Sequence, residues 1–463
     1  MKRKEQIILA LALAGALTSA SAVLAGGGGT KAGPERGAAY VAGPAKAADG
    51  LNGIVVDVPK GWYAIVPTRG LSGSTTVANY DMGHAEDWLP AHSSHVLLDK
   101  MAKVDFITLN LGSSLTLEQW ADRRLSGDEM DGGTVTASRK IVYQVGGRKA
   151  VAYVSRLGLA SKVEIAMAWL DGKVLLASVA PLDTVDLDAA LAVIDGVRPQ
   201  GTRGVGPSVL SKSARTRLAA PIRALIDGEL AQAGSLSQMG GQADTSAKTD
   251  KMGLITAAAG ACTGWTGTDN GTCATGMSCA SNASITLYLP FFYQTWWQSG
   301  GAGSFFGNNY HGNCNLDYYA IDFNQYSSSS CASSVNDTGQ RVYAAAGTAT
   351  TGFDSGGYGN YVLVSHSNGY KTRYAHLQSV NVSNNQAVTT QTIVGYVGDS
   401  GSAAGAPHLH FGYQTSGVSY CNRAGGCPNG EAARSPQTQK PSPMQTNLGS
   451  KGIVDFGCFQ GPP

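Results

Sequence analysis

The sequence predicts two modules of different class, an α+β domain near the N-terminus and an all-β domain near the C-terminus. Three observations carry this. All eight Cys lie between Cys262 and Cys458. The 202 residues from Cys262 onward hold eight acidic and seven basic side chains, and the residues before them hold the other 51 charges. Gly is 61 of 463 residues, about twice the usual share, which favours turns and short strands over long coiled coils. A hydrophobic share of 43% allows a core and excludes wholesale disorder, and the length suggests about three units. With Lys+Arg 34 against Asp+Glu 32, the net charge of +2 gives no footprint for nucleic acid or an acidic membrane.

Taken in order, Lys2, Arg3 and Lys4 head an apolar run from Ile7 to Leu17, followed by Ala20-Ser21-Ala22. That is the three-part pattern of a secretory signal peptide over residues 1–22, cut after Ala22 or Ala25. The run is too short to span a bilayer, so no stable membrane insertion is expected. Residues 23–50 are mostly Gly and Ala and read as a linker. Over 51–200, GIVVDVPKGW, KVDFITLNL, RKIVYQVGGRKAVAYVSRL and KVEIAMAWLDGKVLLASVA are Val- and Ile-rich runs with Gly turns, hence strands. LTLEQWADRRL and LDAALAVIDGV have helical spacing, the first opened by Ser114 or Thr116. His84, His92 and His95 sit in a polar loop without regular spacing, as surface histidines do. Residues 201–261 form a helical and polar connector, and its stretch from Gly240 to Gly253 is small and polar, the composition proteases cut.

From 262 to 463, short strand-like runs alternate with Gly/Ser/Asn turns: ITLYLPFFY, YYAIDF, RVYAAAG, YVLVSH, YKTRYAHL, TIVGYVG and HLHFGY. In an oxidising compartment eight Cys read as disulfides, and no pair shows the C-x-x-C spacing of a zinc site. Cys314 and Cys331 bracket a Ser-rich loop, and Cys421 and Cys427 a Gly-rich one, but eight Cys permit 105 pairings and the sequence leaves the choice open.

The chemistry concentrates in the His residues, five of eight lying between positions 311 and 410. In PHLHF, strand alternation puts His408 and His410 on one face and Leu409 and Phe411 on the other. The preceding GDSGSAAGAP is a small-residue loop that leaves space beside that strand. Catalytic zinc takes three protein ligands, from His nitrogen and carboxylate oxygen, and keeps a position for water. His311, Asp322 and one His of PHLHF would make such a set. Asp317 is a rival carboxylate, but Asp322 sits in an apolar, strand-like run that gives rigid support. Ser367-Asn368-Gly369 is a hairpin turn. Beyond it, alternation predicts that Tyr370, Thr372, Tyr374 and His376 share a face, so that His376 lines a cleft. Tyr374 there has packing as its expected role, with oxyanion assistance as the alternative. His366, at the turn, reads as surface or structural. No H-E-x-x-H helix is present.

The segments HGNCNLDYYAIDF, GQRVYAAAGTATTGF, GNYVLVSHSNGYKTRYAHL and IVGYVGDSGSAAGAPHLHF resemble the lysostaphin-type and β-lytic zinc metallopeptidases. The resemblance runs from about 288 to 412. It implies an antiparallel two-sheet β fold around an open groove. It also implies one zinc ion on His311, Asp322 and His410, with His376 and His408 as the catalytic pair. Members cut peptide bonds in the stems or cross-bridges of bacterial peptidoglycan, and some cut Gly-rich proteins. The step of eleven from His311 to Asp322 exceeds the H-x-x-x-D of many members and matches the longer loops of the β-lytic branch. The expectation is therefore a secreted zinc endopeptidase, extracellular or periplasmic. The alternative is a catalytically inactive wall-binding or hydrolase-activating module of the same fold. Residues 26 to about 250 are expected to be a pro-region, and their rival reading is a permanent targeting domain.

Overall fold

The computed structural model describes residues 36–83, 101–127, 141–201, 220, 222–224 and 285–460. Excepted are 113, 146–147, 158–159, 181–185, 292–294, 300–319, 332–334, 356, 402–406, 416–437, 440–443, 447–448 and 452–456. In the first half the strands are β1 (Ala38–Ala42), β2 (Ala45–Asp49), β3 (Ile54–Val58), β4 (Tyr63–Pro67), β5 (Ser72–Gly73) and β6 (Thr75–Ala78). They continue with β7 (Lys103–Asn110), β8 (Ile141–Val145), β9 (Arg148–Leu157), β10 (Ala160–Ala168), β11 (Lys173–Ala180) and β12 (Arg198–Pro199). Eight of them form one antiparallel sheet in the order β1-β4-β6-β7-β11-β10-β9-β8, and β12-β3-β2 form a second.

Alternation decides which face each residue serves. Phe106, Ala152, Ile165, Leu175 and Ala177 point toward helix α2 (Leu187–Asp195) and the small sheet. Their neighbours Ile107, Val151, Tyr153, Ala166, Val174 and Leu176 point to the opposite face, onto helix α1 (Leu117–Gly127). Thr116 opens α1 with a reciprocal capping box: its hydroxyl accepts from Gln119 N–H at 3.2 Å, and Gln119 Oε1 accepts from Thr116 N–H at 2.8 Å. Asp186 caps α2 by accepting from Ala189 N–H. The strands and helices expected over 51–200 are thus present.

The linker expected over residues 23–50 is corrected from position 38 onward. β1 pairs with β4 from Ala38 to Ala42, and β2 pairs with β3 from Ala45 to Asp49. Composition misleads here because ladder hydrogen bonds come from backbone N–H and C=O, which Ala supplies as well as Val does. Asp49 anchors this stretch, fully buried and accepting from Leu51 N–H, Asn52 N–H and the Thr75 hydroxyl. The expected signal peptide lies outside the described residues, as do most of the connector, His84, His92 and His95. Among the described residues no helix is long and apolar enough to cross a membrane.

The second half carries β13 (Leu287–Tyr288), β14 (Trp296–Ser299), β15 (Ile321–Tyr326), β16 (Arg341–Tyr343), β17 (Gly347–Asp354), β18 (Gly359–Ser365) and β19 (Tyr370–Val380). After these come β20 (Ala387–Val388), β21 (Ile393–Val397), β22 (Leu409–Thr415), β23 (Thr438–Gln439), β24 (Met444–Thr446), β25 (Gly449–Lys451) and β26 (Gly457–Gln460). Pairing is antiparallel throughout, apart from β13 beside β24. The main layer runs β20-β17-β18-β19-β22-β15-β14-β26. A second layer branches from β19, whose C-terminal residues pair with β21, which in turn pairs with β16. β19 therefore belongs to two layers. Its first residues, Tyr370 to Ala375, pair with β22, and its last, Leu377 to Val380, turn away to β21. Between the layers lie Ile321, Phe323, Val362, Val364, Leu377, Val397, Leu409 and Phe411. Cys331 is bonded to Cys458, which excludes the Cys314–Cys331 pairing. Cys314, Cys421 and Cys427 lie outside the described residues.

Candidate active site

Three adjacent strands set the site. On β15, Asp322 pairs in register with His410 of β22, and His410 pairs with Ala375 of β19 on its other side. Ile321, Phe323, Leu409 and Phe411 face the core, so Asp322, His408 and His410 share the opposite face, as alternation in PHLHF requires. Asp322 Oδ1 lies 3.0 Å from His410 Nδ1 and 3.7 Å from His408 Nε2. The Asp322 side chain is fully buried, and His408 and His410 are 0% and 4% exposed.

His376 joins them by a route the sequence did not show. Asn360 and Val362 of β18 oppose Leu377 and Tyr374 of β19, so two residues on β19 face one on β18. This bulge falls on Ala375–His376 and gives His376 a φ of +58°, in the left-handed region that side chains other than Gly seldom enter. The extra residue breaks alternation. Tyr374 turns into the core, its hydroxyl accepting from Ala345 N–H at 2.7 Å, while His376 faces the other imidazoles. The expected common face of Tyr374 and His376 is therefore corrected, and Tyr374 packs. Burial pushes its hydroxyl up to about 12. The His376 ring centroid stands 4.8 Å from that of His408 and 5.7 Å from that of His410.

Backbone groups orient His376. Its N–H donates to Tyr358 O at 2.8 Å, and its Nδ1 lies 2.9 Å from Ser400 O. A carbonyl can only accept, so Nδ1 carries the proton and Nε2 is the basic nitrogen. Burial holds the His376 imidazole well below its ordinary pKa, and His408 and His410 push the same way. Ser400 is fixed in turn: its hydroxyl donates to Leu377 O at 2.6 Å and accepts from Asn360 N–H at 2.9 Å.

Sequence reasoning passed over Ser400, Tyr358 and Arg373. The Tyr358 ring is tilted against His410 at 5.5 Å, and the buried Arg373 guanidinium lies 3.8 Å from the Tyr358 centroid, a cation–π contact. GDSGSAAGAP read only as a small-residue loop, and the backbone carbonyls of Ser400 and Tyr358 carry no code in sequence. His366 is structural but not superficial. It is buried, with Nδ1 2.8 Å from Ala346 O and Nε2 3.1 Å from Thr372 Oγ1.

Asp322 and His410 present an oxygen and a nitrogen to one point, the donor types zinc prefers, so the residues present fit that metal. His311 and Asp317 lie outside the described residues, and among the described residues no group of three His, Cys, Asp or Glu forms a complete metal cage.

Residues 332–422 match the model of Peptidase family M23. Among curated proteins, the chain is 40% identical over 62 residues to the DD-carboxypeptidase/endopeptidase Mpg of Neisseria meningitidis, covering 13% of this chain and 14% of that protein. It is 43% identical over 53 residues to the peptidoglycan DD-endopeptidase ShyA of Vibrio cholerae, covering 11% and 12%. The chain thus spans only about a seventh of the length of these relatives. Among solved structures, the catalytic domain of lysostaphin from Staphylococcus simulans is 25% identical, over 27% of this chain and 84% of that one, with a TM-score of 0.21. The M23 metalloprotease pseudoalterin is 25% identical, over 33% and 96%, with a TM-score of 0.22. Residues 332–422, the segment that matches Peptidase family M23, hold His376, His408 and His410.

Proposed function

We propose that the protein is a secreted zinc endopeptidase that hydrolyses peptide bonds of bacterial peptidoglycan. The observation that supports this most is the convergence of Asp322, His376, His408 and His410 on one buried spot, from β15, β19 and β22. His311, Asp322 and His410 would hold the metal. Zinc in such a set supplies Lewis acidity toward water and toward a peptide carbonyl. His376, kept neutral by its surroundings, takes a proton from the attacking water at Nε2 while Ser400 O keeps Nδ1 protonated. His408, 4.8 Å away between ring centroids, faces the same reacting atoms and steadies the developing oxyanion. The DD-endopeptidase and carboxypeptidase names of the curated relatives make peptidoglycan cross-links the first substrates to try, with Gly-rich peptides second.

The test is digestion of purified peptidoglycan of known cross-bridge chemistry by the metal-loaded protein, with fragments read by mass spectrometry. New amino termini at one defined peptide bond are expected. Intact peptidoglycan after exposure to a zinc-replete, processed protein would leave the inactive wall-binding reading in its place. The carboxylate choice is tested alongside, by zinc content in Asp322→Asn against Asp317→Asn.

A further inference from the structure

Arg373 is a buried cation with no duty in the scheme above. It lies on β19 between Thr372 and Tyr374, whose hydroxyls turn inward and bond to each other at 3.2 Å. Alternation therefore sends Arg373 to the face that carries Asp322 and His410. Its partner across β22 is Gly412. The next pair on that face is Ala375 with His410, about 7 Å along the strand. The Arg373 side chain is 1% exposed. An arginine cannot shed its proton, so its burial costs free energy unless good partners receive it. One of them is Tyr358, whose ring centroid lies 3.8 Å from the guanidinium carbon. At that distance the cation rests on the face of the ring, where the π electrons attract it.

Tyr358 in turn touches the site twice. Its ring centroid stands 5.5 Å from that of His410, with the planes tilted by 53°. Its backbone oxygen accepts from His376 N–H at 2.8 Å. His376 has a left-handed backbone, a conformation that persists only where neighbours hold it. Around Tyr358, the Tyr361 ring closes one side edge-on at 6.4 Å, and Asp354 Oδ2 accepts from Tyr358 N–H at 3.3 Å. The other supports of the site do not pass through Tyr358. Ser400, the second anchor of His376, lies between Asp399 and Gly401. Lys103 of β7 stands 3.3 Å from Asp399 Oδ1, and its Nζ donates to Gly401 O at 2.8 Å. Beyond the bulge, β19 is held by β5, with Gly73 opposite Ser379 and Ser72 opposite Val380. A loosened Tyr358 therefore disturbs His376 and His410 without unseating the strand.

We propose that Arg373 is a positioning residue for this site. Its guanidinium holds the Tyr358 ring against His410 and, through the same residue, the Tyr358 carbonyl on His376. This rests on the peptidase reading above and deepens it. A group that backs a metal ligand sets the angle at which that ligand is presented, and one that holds a general base sets its distance from the reacting atoms. Buried behind a half-buried ring, Arg373 acts through Tyr358 and touches no substrate. The role calls for arginine, because a planar guanidinium stacks flat on a ring. A lysine ammonium is a hydrated point charge on a flexible stem.

The experiment uses the full chain and compares wild type with Arg373→Lys, Tyr358→Phe, Tyr358→Leu and the double variant of Tyr358→Leu with Arg373→Lys. Zinc dissociation constants are measured by competition with a chromogenic chelator, and visible absorption is recorded with cobalt in place of zinc. Amide hydrogen exchange at His376 is followed in metal-free protein, with Val394 of β21 as the control. Turnover on labelled peptidoglycan is measured with the connector cut. Arg373→Lys should weaken zinc by about tenfold and lower kcat by about tenfold with KM kept, the lower end for a group that supports a metal ligand. It should also shift the cobalt bands and speed exchange at His376 but not at Val394. Tyr358→Phe keeps the ring face and should stay within about twofold of wild type. Tyr358→Leu should match Arg373→Lys, and the double variant should lose no more than either, since residues acting in series are not additive. Zinc affinity and His376 exchange at the wild-type level in Arg373→Lys, or losses that add in full, would overturn the role. Where Arg373→Lys does not fold, equal zinc affinity and equal His376 exchange in Tyr358→Leu and Tyr358→Phe would overturn it. The expected zinc, cobalt and exchange changes without cleavage of peptidoglycan by wild type would keep the role and remove the peptidase reading. In a wild type that neither binds zinc nor cleaves, that reading falls and exchange at His376 alone decides the role.

Discussion

Gly359→Ala should cost the proposed activity far more than its one methyl group suggests. Gly359 opens β18 with a φ of +61°, and a Cβ built there meets Ser400 Oγ at 2.2 Å and the Ser400 carbonyl carbon and oxygen at 2.3 Å. Carbon contacts are comfortable at about 3.5 Å, so the loop must retreat by about 1 Å. It cannot retreat alone, because Ser400 O is the acceptor for His376 Nδ1. A misplacement of about 1 Å at a reacting group costs roughly 10²-fold in rate. The left-handed backbone adds about 1–2 kcal/mol of strain, and overpacking about 1–3 kcal/mol, so stability should fall by about 2–5 kcal/mol. The matched control is Gly369→Ala in the β18–β19 turn. Its φ is +82°, but a Cβ there meets nothing within 4 Å, so the strain of about 1–2 kcal/mol stands alone and turnover is kept. The assay is kcat on labelled peptidoglycan with the connector cut, beside zinc content and urea unfolding. Zinc should be retained in both variants. Full turnover in Gly359→Ala, or an equal loss in Gly369→Ala, would refute the idea that Ser400 positions His376.

Other perturbations separate the site from its support. His410→Ala should lose zinc and activity together, read by metal analysis. His376→Ala should keep zinc and lose roughly 10²–10⁴ in rate, the usual size for a general acid–base group; near-normal turnover would remove it from that role. Opening the Cys331–Cys458 bridge by paired Ser substitution frees a separation of 127 residues and should cost about 4–5 kcal/mol in urea unfolding. His366 is held below its ordinary pKa by burial, so the folded chain keeps it neutral while the unfolded chain protonates it near pH 6.5. Its contribution is present above that pH and is lost as pH falls toward the folded value, and His366→Gln should flatten stability against pH in that window.

Much of the architecture was legible because period and composition agreed with it. Val and Ile runs became strands, Thr116 capped its helix, and PHLHF alternated as a strand must, bringing His408 and His410 beside Asp322. His376 was found by its place in YAHL but for an incomplete reason. Simple alternation would have sent it to the side of Tyr374, and an inserted residue at 375–376 reversed it. A bulge is a backbone event with no marker in side-chain type, which is why the sequence hid it. The same holds for Ser400 O and Tyr358 O, contributions any residue type could make. Strands β1 and β2 were missed because Ala and Gly signal a linker by composition while pairing by backbone. The contact between β7 and the 399–401 loop was invisible for a further reason. Lys103 and Asp399 are nearly 300 positions apart, and nothing local couples them.

The pairing of β5 with β19 also bears on the order in which the molecule can be made. Residues 36–200 leave the ribosome first and contain a complete sheet with helices on both faces, so they can fold while the rest is still being synthesised. When Ser379 and Val380 emerge, Ser72 and Gly73 are already tethered between β4 and β6, which pair with each other. The long-range ladder is thus met by a short segment held at both ends, which shortens the search that slows non-local β pairing. The same contact covers one side of β19 during assembly, when bare strand edges invite pairing with another copy. Chains synthesised without residues 36–200 should therefore refold more slowly and aggregate more, even though every residue of the His cluster is present.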